Sequence, residues 1–157
     1  MPSMSVIPFP RAQRVAIANA GDVGEIEALI CGIAGMICAT GGMVAIAGHD
    51  IHATAIETRI ALLSEMYAEG EVVIGYLDAR SDETINIAIE KLTLPPQGRE
   101  GWRADVFVAD EDGHASLGAL SAPDARTLCK DLLDAVSDGF TRPLDSAGAA
   151  LLKLARR

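Results

Sequence analysis

The sequence predicts an α+β fold with two N-terminal helices, an antiparallel β-meander of about four strands and two C-terminal helices. Three observations carry that expectation. Apolar residues recur at helical spacing from Ile26 to Ile37 and again from Ala53 to Tyr67. Strand-like alternation, rich in β-branched residues, takes over between Val72 and Leu120. Helical spacing then returns after Ser121. Helices grouped apart from a run of strands indicate α+β rather than a doubly wound sheet.

The chain opens with M-P-S-M-S-V-I-P-F-P-R-A-Q-R, in which Pro2, Pro8 and Pro10 favour an extended arm over residues 1–14. Residues 15–157 then form one domain. At 157 residues the chain can bury roughly 70% of its unfolded surface without a disulfide or a metal. Asp22-Val23-Gly24-Glu25 has the form of a capping box, with Asp22 as the N-cap. Behind it, Ile26, Leu29, Ile30, Ile33, Met36 and Ile37 hold one helix face. Ala28, Gly32, Gly35 and Ala39 make a small-residue face on the other side, where a second helix can approach closely. Gly41-Gly42 suit the end of that helix.

No charge appears from residue 28 to residue 48, a run long enough to span a bilayer. Its five glycines, and the lack of flanking aromatic or basic residues, place it instead in a soluble core. Within it, Met43 to Ala47 fits either a short buried strand or the start of the next helix. Asp50 is the expected N-cap of a helix from Ile51 to Ala68. There Ala53, Ile56, Ile60, Leu63 and Tyr67 alternate spacings of three and four, as a coiled-coil seam does.

Gly70 closes that helix. Val72 to Leu77 reads as a strand, and Thr84 to Ile89 alternates with period two, although Ile85, Ile89 and Leu92 also share a helical face. Strand is the expectation. Pro95-Pro96 breaks the chain. The segments 102–109 and 115–120 flank Asp110-Glu111-Asp112-Gly113, a hairpin signal. Ser121 is the expected N-cap of a helix carrying Ala125, Leu128, Cys129, Leu132, Leu133 and Val136. Gly139 ends it, and a last helix is expected from Ser146 to Arg156.

Charge and composition exclude several functions. A net charge of −9, with no basic run beyond Arg156-Arg157, repels nucleic acid and anionic membranes. Aromatic content of 4% is too thin for base-stacking platforms. Cys31, Cys38 and Cys129 are an odd set with no paired spacing, and they read as buried thiols in a reducing compartment. The expected location is the cytoplasm, and no stretch has the form of a signal peptide.

His49-Asp50-Ile51-His52 is the cluster with chemical potential. On a helix His49 and His52 stand at i, i+3 and are candidate ligands for a metal, with no third ligand indicated by spacing. That reading would make the chain a small metal-dependent enzyme. The longer stretch M-V-A-I-A-G-H-D-I-H-A-T-A-I-E-T-R-I-A-L-L resembles the phospho-accepting helix of sensor histidine kinases. The resemblance implies a histidine phosphotransfer module with His49 as phosphoacceptor and the weak catalytic candidate. It covers about twenty residues, Thr54 stands where that family usually has Pro, and no asparagine box or glycine-rich nucleotide lid follows. His114 and the acidic Asp110, Glu111 and Asp112 read as a solvated hairpin tip, too short for a calcium loop. No nucleophile elbow, phosphate loop or dinucleotide fingerprint is present.

With no catalytic constellation and no cofactor expected, the sequence reads as a small acidic binding or regulatory protein acting through protein–protein contacts. Its small-residue face and heptad-like seam favour a homo-oligomer. Its charge favours a basic protein or peptide partner.

Overall fold

The computed structural model describes residues 13–79, 83–94, 98–110, 113–141 and 144. These residues form a mixed α and β structure of seven strands and three helices. In chain order these are β1 (Gln13–Arg14), α1 (Ala20–Cys38), β2 (Met43–Ile46), β3 (His49–Asp50), α2 (Ile56–Glu69), β4 (Glu71–Asp78), β5 (Glu83–Leu94), β6 (Arg99–Asp110), β7 (Gly113–Ala122) and α3 (Ala125–Asp138). One antiparallel sheet takes the order β3-β2-β4-β5-β6-β7, and β1 pairs with the end of β5.

This corrects the expected arrangement of two helices, four strands and two helices. The helices of the N-terminal half are separated by the β2–β3 hairpin, which joins the sheet beside β4, so one helix precedes the sheet and one closes it. The physical reason is the turn at Ala47-Gly48, where both residues take positive φ (51° and 81°). Two consecutive positive φ values make the two-residue turn whose twist matches that of paired strands. The helix expected over 146–156 lies outside the described residues, as do residues 1–12 of the expected arm.

The core is set by period two in the strands and 3.6 in the helices. Register brings Val44, Ile46, Val72, Ile74, Tyr76, Ile85, Ile87, Ile89, Ala104 and Val106 onto one face of the sheet, all buried. Ile26, Leu29, Ile30, Ile33 and Ile37 of α1 and Ala125, Leu128, Cys129, Leu132 and Val136 of α3 cover that face in a single cluster. Of the small-residue face of α1, only Gly32 meets α3 of the same chain; Ala28, Gly35 and Ala39 are exposed. A Cβ on Gly32 would stand 2.9 Å from Leu133 Cδ1.

The caps differ from the expected ones. Asn19 caps α1, its Oδ1 accepting from the N–H groups of Gly21 (2.8 Å) and Asp22 (3.2 Å). Asp22, displaced into the first turn, pairs instead with Lys91, whose ammonium also meets Glu100 (3.0 and 3.1 Å). Lys91 lies 5.6 Å from the centroid of its cross-strand neighbour Trp102. With 7% of its side chain exposed, Lys91 pins the start of α1 to β5 and β6. Asp124, not Ser121, caps α3 by accepting from Thr127 N–H at 2.7 Å, because Ser121 is still paired in β7. The apolar run from residue 28 to residue 48 turns from helix to strand at Cys38–Met43, and no helix of the described residues is long and apolar enough to cross a membrane.

Candidate functional site

The candidate residues gather at one end of the helical layer, where α1 ends, the β2–β3 hairpin turns and α2 begins. His49 is an exposed residue of β3, paired with Ile46. It does not open a helix. Asp50 is also committed elsewhere: its Oδ1 accepts from His52 N–H at 2.8 Å, and its carbonyl accepts from Ala53 N–H and from Thr54 Oγ1. These bonds wind residues 51–53 into a turn, so α2 starts at Ile56, five residues after the expected position, with Ala55 as an N-cap that makes no side-chain bond. The histidine-kinase resemblance placed His49 on a helix; here the matching segment is strand, turn and then helix.

The two histidines therefore lack the shared helical face that made them a ligand pair. His52 turns toward α1, and its Nε2 lies 3.0 Å from Cys38 Sγ. Among the described residues no group of three or more His, Cys, Asp or Glu side chains is placed to hold a metal ion. His114 falls in β7, and residues 111–112 lie outside the described residues. The thiols were expected to be buried alike, and they are not: Cys31 is exposed, Cys38 half-buried and Cys129 buried. Cys31 escapes because it sits on the flank of α1 that points toward α2 rather than toward the sheet.

Between those helices runs a groove of about 210 Å³, lined by Glu27, Ile30 and Cys31 of α1, by Ile46 and Ile51, and by Ile56, Arg59, Ile60 and Leu63 of α2. The predicted seam on α2 is split by the fold. Leu63 and Tyr67 pack against the chain's own core, whereas Ile56 and Ile60 are 60% and 59% exposed. Ala53 precedes the helix. No residue of α2 is buried, in contrast to five each on α1 and α3. The helix is held mainly at its C-terminal end, where Gly70 (φ 80°) reverses the chain into β4 and the carbonyl of Tyr67 accepts from Ile17 N–H at 2.7 Å.

Sequence reasoning missed two things here. One is the meeting of Cys38 with His52, fourteen residues apart and joined only through the hairpin. The other is that half the seam is left open. Spacing along α2 marks its apolar positions but carries no sign of which ones the rest of the chain covers. No protein-family model, curated protein or solved structure matches the chain.

Proposed function

We propose that this chain is a small acidic binding or regulatory protein that works as a homo-oligomer, the α2 helix of a second copy closing the groove beside α1. The observation that carries the reading is Ile56 and Ile60, two large aliphatic side chains one turn apart and open to water, on a helix whose core contacts are the half-buried Leu63, Met66 and Tyr67. Full burial of an isoleucine is worth about 1.5–3 kcal/mol, so two on each copy offer a driving force on the order of several kcal/mol against the cost of association.

A second copy suits the groove by charge. Arg59 is the sole basic residue of α2, which also carries Glu57, Glu65 and Glu69, and Glu27 stands across the groove. A two-fold arrangement offers the Arg59 of each copy the acidic side of the other, so two chains of net charge −9 attract locally. The remaining acidic surface favours a basic protein or peptide as the regulated partner, and free thiols are in keeping with a cytoplasmic setting.

Native mass spectrometry combined with light scattering tests this. The wild type is expected as a dimer or higher symmetric assembly at micromolar concentration. Ile60→Asp, at an exposed site that leaves the monomer fold intact, is expected to shift it to monomer by at least tenfold in dissociation constant. A wild type that stays monomeric, or an Ile60→Asp variant that assembles unchanged, overturns the reading.

A further inference from the structure

We infer that Cys38 and His52 form a reactive thiol–imidazole pair, making Cys38 the site at which this protein takes up a small thiol as a mixed disulfide. The pair satisfies the geometric requirement for an activated nucleophile. Sγ and Nε2 are 3.0 Å apart, within hydrogen-bond reach, and both groups are accessible, Cys38 half-buried and His52 exposed. The backbone that carries the base is held in place by Asp50. The Asp50 carboxylate accepts from the backbone N–H of His52, and the Asp50 carbonyl accepts from Ala53 N–H (3.2 Å), so the turn that carries the imidazole is fixed on both sides.

Position sharpens the dependence on His52. Cys38 is the last residue of α1. The negative end of a helix dipole opposes a free thiolate and favours an imidazolium. An imidazole against this thiol gives its proton somewhere to go as sulfur attacks. In the tautomer carrying hydrogen on Nδ1, Nε2 accepts the thiol proton.

The reaction is exchange with a low-molecular-weight disulfide, RSSR. Cys38 sulfur attacks one sulfur of RSSR, a Cys38–SR bond forms and the R–S–S–R bond breaks. The departing thiolate takes the proton held by His52 and leaves as RSH. The Cys38 sulfur is oxidised to the disulfide level, the departing sulfur is reduced to the thiol RSH, and the bound sulfur stays at the disulfide level in Cys38–SR. No outside oxidant is required beyond RSSR.

The chain supplies its own comparison, since Cys31 is a thiol on the same helix, exposed in the single chain and lining the groove beside α2, and Cys129 is buried. The test reacts the purified full chain with glutathione disulfide and, separately, with 4,4′-dithiodipyridine from pH 5.5 to 9, and follows each cysteine by peptide mass spectrometry. In the wild type, Cys38 is expected to form an adduct with both reagents. His52→Gln is expected to slow Cys38 on the order of tenfold or more at pH 7, with the Cys31 rate unchanged. An unchanged Cys38 rate in the variant, or no adduct at Cys38 in the wild type, overturns the inference. A variant that slows Cys31 as much as Cys38 likewise overturns it, because the effect is then not particular to the pair.

Discussion

Tyr67 shows how a single polar atom is tolerated in this core. Its ring packs against the buried cluster beside Leu63 and Met66, and its hydroxyl is buried with no hydrogen-bond partner among the described residues. Burial, reinforced by the negative charge of Glu27, pushes the phenol up to about 12, so the group stays neutral through the physiological range. An unpaired buried hydroxyl is costly because it has given up water and gained nothing. Tyr67→Phe removes that atom and keeps the ring. It is expected to hold or raise stability, by up to about 1 kcal/mol, read as a higher urea midpoint at constant slope. A loss of more than about 1 kcal/mol would show that the hydroxyl has a partner, such as a bound water. The neighbouring Gly70 makes the opposite point. Its positive φ and the Val15 carbonyl against its Cα leave no room for a Cβ, so here glycine is required by both backbone and packing.

At the scale of elements, the β2–β3 hairpin decides the architecture and carries a visible imperfection. Ala47 holds a φ of 51°, which costs a residue with a Cβ about 1–2 kcal/mol, whereas asparagine occupies that region readily. Ala47→Asn is expected to stabilise the chain by about 0.5–1 kcal/mol, seen as a rise in thermal midpoint; a fall would mean the turn is not of the paired-strand type. The same alanine explains why the hairpin was illegible in the sequence. Asn-Gly between two apolar segments would have announced it, but Ala-Gly inside an uncharged run does not. The core face of α1 was legible, because five of its six predicted apolar positions are the buried ones and period alone identifies them. Its cap was not: Asn19 and Asp22, three residues apart, are both good cap residues, and the choice fell to Lys91, a partner 69 residues away in sequence. Strand β5 was legible in outline because its period-two isoleucines fit one sheet face better than a helix. The site was least legible, since the Cys38–His52 contact and the open half of the α2 seam depend on where the hairpin puts its neighbours.

For the molecule as a whole, three groups in or beside the core share one dependence on pH. Burial pushes the Cys129 thiol from its ordinary 9.0 up to about 12, and burial pushes Tyr67 the same way. Burial works against the Lys91 ammonium, but its hydrogen bonds to Asp22 and Glu100 outweigh that and leave its pKa raised. Every one of these shifts is upward, so the native state holds its protons more tightly than the unfolded chain does. Below about pH 9 neither state has released them, and their contribution to stability is complete. Above it the unfolded chain gives up the cysteine proton first, then those of tyrosine and lysine, while the native state retains them, and unfolding becomes progressively easier up to the folded values. The thermal midpoint is therefore expected to be flat from pH 7 to 8.5 and to fall steadily from pH 9 to 11, measured with a phosphine reductant present to keep the thiols free. Cys129→Ala separates this from general charge repulsion. The variant starts lower because it opens a small cavity between α3 and the sheet, yet its decline above pH 9 is expected to be shallower than that of the wild type. Parallel declines would assign the alkaline loss to the surface carboxylates of a chain at net charge −9, rather than to the thiol at its centre.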